Sequence, residues 1–83
     1  MTLQDLFVEH GTTSISELIN IEANLIDWYT EMLYDDMWDT VAQSNKNFHT
    51  KVLDKLVAIE QFFNSLGADW DIDGTAFAKL IQI

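Results

Sequence analysis

The sequence predicts an all-α protein, a small helical bundle in one domain, and three observations support that prediction. The 83 residues include no Pro and only three Gly, so helix breakers are rare. Apolar residues recur with the 3.6-residue period of an amphipathic helix over long stretches. The alternation that is typical of β-strands never persists beyond a few residues. Because a chain of this length builds one core, we expect a single acidic helical domain over residues 1–83.

The first predicted helix is short and covers residues 3–10. Thr2 and Asp5 have the spacing of a capping box, in which a hydroxyl and an acidic side chain satisfy free N–H groups at the helix start. The apolar residues that follow share one helical face. Gly11 is well placed to end the helix, because glycine readily adopts the left-handed conformation of a C-terminal cap.

A long helical hairpin is expected next, with helices over about 14–42 and 47–66. The apolar stripe of the first of these helices runs unbroken to about residue 42. The adjacent acids Asp35 and Asp36 are poor residues for a helix interior, so a break there is the alternative. Residues 43–47 form a polar connection. Because this link is short, the two helices should be antiparallel neighbours.

A short C-terminal helix over residues 75–82 completes the predicted bundle. It follows an acidic loop over residues 68–74. Its Phe77, Leu80 and Ile81 are expected to dock on the core, so that a short helix closes off the long hairpin at each end of the chain.

Charge is the strongest constraint on function. Fourteen Asp and Glu residues oppose four Lys and no Arg, which gives a formal net charge of −10. Residues 1–45 contain nine acids and no Lys or Arg. Direct binding to nucleic acid is excluded, because it requires cations that replace the counterions along the phosphates. An anionic membrane is excluded by the same repulsion. The negative electrostatic field of so acidic a chain attracts a basic partner.

The cellular setting follows from what the sequence lacks. Without Cys there are no disulfides, thiol nucleophiles or thiolate metal sites. Small secreted domains usually depend on disulfides, and the first residues do not have the basic segment of a signal peptide. No apolar run approaches the roughly 20 residues of a membrane span. We therefore expect a cytoplasmic protein that does not associate with membranes.

An acidic ladder is the first candidate binding site. Asp27, Glu31, Asp35 and Asp39 are spaced four apart, which places them on one helical face about 6 Å from one to the next. Glu17 belongs to the same side. Like charges at this spacing repel by roughly a few tenths of a kcal/mol per pair. The ladder is therefore either an anionic surface meant for a basic site or a solvated face that the helix tolerates.

The charge density of the ladder indicates partial mimicry of DNA. Duplex DNA carries one charge per about 1.7 Å of its axis, whereas the ladder carries one per about 6 Å. The predicted hairpin would also bring Lys51 near Asp39 and Lys55 near Asp35 or Asp36, in surface pairs worth about 0–1 kcal/mol each. The ladder could thus imitate one stretch of a nucleic-acid backbone better than a whole duplex.

Three aromatic residues accompany the ladder. Trp28, Tyr34 and Trp38 project towards the polar side of the predicted helix or lie at its edge. Exposed Trp and Tyr amid charge are typical of an interface, because each offers a large contact area at low entropic cost. The alternative is that a terminal helix or a second copy of the chain covers them, so a homodimer stays open.

A weak calcium site is a second candidate. Asp69, Asp71, Asp73 and Gly74 match the first half of the EF-hand calcium-loop pattern, with acids at positions 1, 3 and 5 and Gly at position 6. The position of the bidentate Glu is occupied by Leu80. The favoured alternative is a plain connection between helices, in which Asp73 caps the last helix.

Catalysis is not predicted. Neither His10 nor His49 follows a Glu at the spacing that di-iron helices use, and the sequence contains no glycine-rich phosphate loop. Glu22 and Asp36 lie on the apolar side of the second helix. We expect both of them at the edge of the stripe, where they reach solvent or a lysine. The sequence thus predicts no enzymatic activity and no cofactor.

The function that these patterns favour is binding. We expect an acidic module that occupies a basic site on a nucleic-acid-binding protein, as an inhibitor or partial DNA mimic. Small acidic inhibitors made by phages and mobile elements share this composition. The alternative is a helical protein that self-associates or serves as a subunit of a larger assembly, since the apolar stripe is wide and aromatic residues are numerous.

Overall fold

The computed structural model describes residues 1–67 and 77–83. Within these residues the chain forms three helices, α1 (Leu3–His10), α2 (Ile15–Asp35) and α3 (Thr40–Ser65). The same residues contain no strand, only an isolated antiparallel bridge between Thr2 and Gln82. The predicted all-α class, a small bundle with long central helices, is confirmed.

The capping box predicted for α1 is present. The Thr2 hydroxyl oxygen accepts a hydrogen bond from the Asp5 N–H at 3.3 Å, and the Asp5 carboxylate accepts one from the Thr2 N–H at 2.8 Å. The Thr2 N–H that donates to the Asp5 carboxylate, followed by the Thr2 hydroxyl beside it, holds the pKa of Asp5 below its usual value. At the other end Gly11 adopts the left-handed conformation with φ 65°, and its N–H donates to the Phe7 carbonyl. Helix α1 therefore begins and ends where the sequence predicts.

The long hairpin turns earlier than the predicted connection over 43–47, so the boundary of the helix predicted over 14–42 is wrong. Helix α2 ends at Asp35, because Asp36 is extended and its carboxylate accepts a hydrogen bond from the Trp38 N–H at 3.1 Å. Helix α3 begins after Asp39, whose side chain caps it by accepting from the Ala42 N–H at 3.0 Å. The alternative break at the acidic pair is therefore the one that occurs.

The core lies at the end of the molecule where all three helices meet. Its buried members come from α1, from the first turns of α2, from the middle of α3 and from Ala78 near the C-terminal end. They are Leu3, Leu6, Phe7, Ile15, Leu18, Val52, Leu56 and Ala78. The molecule measures 43 Å along its longest axis, so the α2–α3 turn extends well beyond this core.

The C-terminal segment closes the core, and the helix predicted over 75–82 does not extend to residue 82. Residues 75 and 76 lie outside the described residues. Phe77 is helical and residues 78–80 form a turn, in which the Leu80 N–H donates to the Phe77 carbonyl at 2.9 Å. It then becomes extended, and the Leu3 N–H donates to the Ile81 carbonyl at 2.9 Å. Ile81 packs on the core as predicted, whereas Phe77 and Leu80 are exposed and do not.

The cap at the start of α3 gives a test of the observed turn. Replacing Asp39 by Ala should lower the free energy of unfolding by about 1 kcal/mol, because the first turn of α3 loses its side-chain acceptor. Urea unfolding monitored by circular dichroism measures this. Asp39→Ser retains a capping oxygen and should stay close to the wild type. Asp35→Ala, which removes a carboxylate without a described hydrogen bond, is the matched control, and equal losses for both Ala variants would contradict the capping role.

The lowered pKa of Asp5 predicts a pH dependence of the stability of α1. A carboxyl whose pKa is lower in the folded state adds stability above its unfolded pKa, and this contribution disappears as the pH falls through the folded pKa. Wild type should therefore exceed Asp5→Ala in unfolding free energy at pH 6, and the difference should shrink steadily as the pH falls below about 4. A difference that is constant over this range would contradict the capping box.

Candidate functional site

The exposed surface of α2 near its C-terminal end combines acids with aromatic rings. Asp27, Trp28, Glu31, Tyr34 and Asp35 are all exposed. At about 100° per residue, these five positions fall within an arc of about 120° around the helix. We call this surface the α2 acidic face. The structure thus brings together three acids and two of the three aromatic residues that the sequence singled out.

The remaining predicted site residues lie outside the α2 acidic face. Asp39 caps α3 and is not a fourth rung of the ladder, because α2 has already ended. Glu17 lies in the first turn of α2, about 15 Å along the axis from Asp27, and its carboxylate accepts a hydrogen bond from the Thr12 hydroxyl. Trp38 lies in the turn itself, next to the acidic face. The ladder therefore has three rungs over about 12 Å.

The carboxylates of the acidic face form no ion pair with a described lysine. Among residues 1–67 and 77–83, no lysine nitrogen lies within 4.0 Å of a carboxylate oxygen. The pairs expected for Lys51 and Lys55 are absent because the hairpin turns at residues 36–39. In the observed register the Ser16 hydroxyl of α2 donates a hydrogen bond of 3.3 Å to Glu60 of α3. Lys51 and Lys55 of α3 lie opposite the N-terminal half of α2, whereas Lys46 lies one turn before His49, whose ring stacks on Tyr29.

The aromatic residues are open to solvent in this chain. The exposed fractions are 54% for Trp28, 92% for Tyr34 and 84% for Trp38. No terminal helix or segment among the described residues covers them. Met37 and Val41 are exposed beside them, so the α2–α3 turn is an apolar tip that borders the acidic face. The sequence did not predict that these two residues would be exposed at a turn. A helix break at Asp35 and Asp36 would have placed Met37 in that turn.

A buried carboxylate lies between the three helices, where sequence analysis expected none. Glu22 of α2 is 1% exposed, and its two oxygens approach different histidines. His49 Nδ1 of α3 lies 2.5 Å from Oε2, and His10 Nε2 of α1 lies 3.7 Å from Oε1. The expectation that Glu22 reaches solvent or a lysine is wrong, whereas Asp36 is exposed as expected. The positions of the histidines in the sequence did not predict these contacts, because the three residues meet only through tertiary packing.

Metal binding finds no support in the part of the chain that the structure describes. There, no group of three or more His, Cys, Asp or Glu side chains is arranged to hold a metal ion. The calcium candidate formed by Asp69, Asp71 and Asp73 lies outside the described residues and stays a prediction. None of the described helices is both long enough and apolar enough to cross a membrane.

A second exposed surface is wholly apolar and lies at the other end of α3. A groove of about 390 Å³ runs between α3 and the C-terminal segment. It is lined by Ile59, Phe62 and Phe63 of α3 and by Phe77 and Leu80. It lies away from the acidic face, so the two surfaces could be occupied independently.

Comparison with known proteins gives no family or relative for this chain. No protein-family model matches it, and neither the curated proteins nor the solved structures include a significant match.

The exposure of Trp38 can be measured directly. A variant that retains only Trp38, through Trp28→Phe and Trp70→Phe, should emit at the long wavelengths of a hydrated indole and be strongly quenched by acrylamide, because the ring is 84% exposed. The matched variant that retains only Trp28 should be quenched less. A blue-shifted and protected Trp38 at micromolar concentration, reversed on dilution, would show instead that a second copy covers the tip.

Proposed function

We propose that this chain is a non-enzymatic acidic binding protein that occupies a basic site on a nucleic-acid-binding protein. The observation that carries the proposal is the α2 acidic face, an exposed row of three acids flanked by exposed aromatic rings and free of ion pairs to described lysines. The net charge of −10 extends the attraction beyond the contact surface and accelerates encounter with a basic partner.

The unpaired state of the acids favours binding. Asp27, Glu31 and Asp35 make no described ion pair, so a partner's Lys or Arg does not have to displace a cation of this chain. The three carboxylates are also fixed in spacing by one helix and repel each other at i,i+4. A cation of the partner that lies between two rungs relieves this repulsion, and the relief adds to the attraction between opposite charges.

The aromatic rings supply binding energy that does not depend on charge. Exposed ion pairs contribute only about 0–1 kcal/mol each, so a row of acids alone binds weakly and is sensitive to salt. Trp28 and Tyr34 on the face and Trp38 at the tip add apolar area that persists in salt. They also offer ring faces to arginine, the residue that nucleic-acid-binding surfaces use most for specific contacts.

A nucleic-acid-binding partner suits this regular spacing of anions. Three charges over about 12 Å are sparser than the one charge per about 1.7 Å of duplex DNA. The face therefore fits part of a phosphate-binding track rather than a complete duplex site. By occupying that part, it would compete with nucleic acid and inhibit the partner, which is the partial mimicry expected from the sequence.

Paired charge-removal variants test the proposal. We expect the tagged wild type to capture a basic nucleic-acid-binding protein from a bacterial lysate at low salt and to release it at high salt. Asp27→Asn with Glu31→Gln should weaken the isolated interaction by about tenfold, because two contacts worth up to about 1 kcal/mol each are lost. Glu9→Gln with Asp54→Asn removes the same net charge from exposed positions outside the face and should bind nearly as well as the wild type.

Other outcomes would overturn this assignment. If both double variants lose affinity equally, net charge acts without a defined site. If no basic protein is captured, the self-associating protein becomes the better assignment, and the apolar groove beside Phe62 and Leu80 favours it. Sedimentation in high salt then decides, because association through the groove persists in salt and should be abolished by Leu80→Asp.

A further inference from the structure

We propose that α3 and the C-terminal segment form a binding site for one free long-chain fatty acid, held as its carboxylate. The site, which we call the α3 seam, combines the apolar groove with a smaller cavity that is lined in part by two lysines. A strongly acidic chain thus places cations beside an apolar recess. The α3 seam is separate from the α2 acidic face, so this inference does not depend on the proposed partner.

The two cavities of the seam lie on one face of α3. The smaller cavity, of about 170 Å³, is lined by Phe48, Lys51, Val52 and Lys55 of α3 and by Met1 and Ile83. The groove begins one turn further along α3, at Ala58 and Ile59. At about 100° per residue, the α3 residues that line the two cavities fall within an arc of about 140°. From Phe48 to Phe62 this strip is about 21 Å long, so a flexible chain can extend from one cavity into the other.

The wall of the seam opposite α3 is fixed by backbone hydrogen bonds. The Leu3 N–H donates to the Ile81 carbonyl at 2.9 Å, and the Ile83 N–H donates to the Met1 carbonyl at 3.0 Å. Ile59, Ile81 and Ile83 pack against the core from this side. The apolar floor of the seam is therefore formed before a ligand binds, which lowers the entropy that binding costs.

The lining of the groove determines the body of the ligand. Phe48 and Phe62 are each more than half exposed, and Leu80 is more exposed still. Because the groove is lined by apolar residues only, it suits an alkyl chain, which needs no hydrogen-bond partner. Its volume of about 390 Å³ lies near the lower end of the range of about 300–1,000 Å³ for small-molecule sites. The groove therefore fits one alkyl chain better than the two chains of a membrane lipid.

Lys51 and Lys55 determine the head group of the ligand. They lie one turn apart on α3, about 6 Å along the axis, so both ammonium groups can approach one carboxylate. Neither makes an ion pair with a described carboxylate, so the ligand displaces no acid from them. Asp54 lies beside them and leaves a net charge of +1 over residues 51–55. This charge matches a monoanion better than a dianionic phosphate.

The acidity of the whole chain selects a single free anion. Charges outside the seam are screened over about 8 Å at physiological ionic strength. Glu60, the next acid along α3, accepts a hydrogen bond from Ser16 of α2 and so points away from the seam. An anionic membrane presents many negative charges at once and repels a chain with a net charge of −10. One fatty acid brings only one charge, which the two lysines can offset.

Calorimetric titration of the full-length chain with monomeric fatty acids tests the apolar part of the site. Octanoate, decanoate and dodecanoate are compared at neutral pH, below the concentrations at which they form micelles. We expect one ligand per chain and a Kd that falls by up to about fourfold for each added methylene, because the chain is buried in the groove. No saturable binding of dodecanoate, or an affinity that is independent of chain length, would overturn the proposal.

Charge variants test the head-group part of the site. Lys51→Gln with Lys55→Gln should weaken decanoate binding by about tenfold and leave 1-decanol binding unchanged, because only the acid uses the ammonium groups. Lys46→Glu changes the net charge by the same amount at a position outside the seam and should bind decanoate as the wild type does. Equal losses of decanoate affinity in both variants would contradict the role of the two lysines.

An apolar variant tests whether both ligands use the same groove. Phe62→Gln should weaken decanoate and 1-decanol alike, whereas Val41→Gln, at the exposed tip, should affect neither. Both replaced side chains are largely exposed, so the fold should persist, and circular dichroism checks this. If Phe62→Gln does not fold, Leu80→Gln serves the same purpose. Unchanged affinity in the folded groove variant would place the ligand elsewhere and overturn the proposal.

Other occupants of the seam give different results. We expect sedimentation to show the same molecular mass with and without decanoate. A wild-type dimer that Phe62→Gln dissociates, with no decanoate bound, would assign the seam to a second copy. Binding to phosphatidylglycerol vesicles without binding of monomeric decanoate would assign it to a membrane surface. Asp27→Asn with Glu31→Gln should bind decanoate as the wild type does, so a failure of the proposed function leaves this result unchanged.

Discussion

The turn between α2 and α3 is the constraint on which the rest of the structure depends. Asp36 ends one helix by accepting a hydrogen bond from the Trp38 N–H, and Asp39 begins the next by accepting one from the Ala42 N–H. Two short acidic side chains thus accept hydrogen bonds from N–H groups that, in a continuous helix, would donate to the carbonyls four residues earlier. Because the chain reverses here, the register of the hairpin brings His49 of α3 to Glu22 of α2.

The same turn separates acids with a structural role from acids that stay free. Asp5, Asp36 and Asp39 accept hydrogen bonds from the backbone and serve the helix ends. Glu22 is enclosed by the core. What remains on the surface near the tip is a short anionic strip with aromatic neighbours, while Lys51 and Lys55 lie beside the core residues Val52 and Leu56.

The sequence predicts those parts of the fold that local signals determine. The boundaries of α1 follow from Thr2, Asp5 and Gly11, because capping hydrogen bonds and a left-handed glycine act within a few residues. The end of α2 was misplaced because apolar periodicity continues through Met37, and only the Asp35–Asp36 pair opposed it. The acids and rings of the α2 acidic face could be predicted for the same local reason. The contacts of Glu22 could not, since its partners are 12 and 27 positions away and meet only after the hairpin closes.

The two ends of the chain are hydrogen-bonded side by side, since the Leu3 N–H donates to Ile81 and the Ile83 N–H donates to Met1. The hairpin turn lies at the far end of the long axis from these adjacent ends. The molecule is therefore suited to insertion into another protein. Spliced into a surface loop of a host protein, it would need only short linkers at its adjacent ends. The acidic face would then lie at the end of the insert that is farthest from the host. This geometry suits display on a scaffold protein, or a sensor in which binding at the tip is detected at the attachment point.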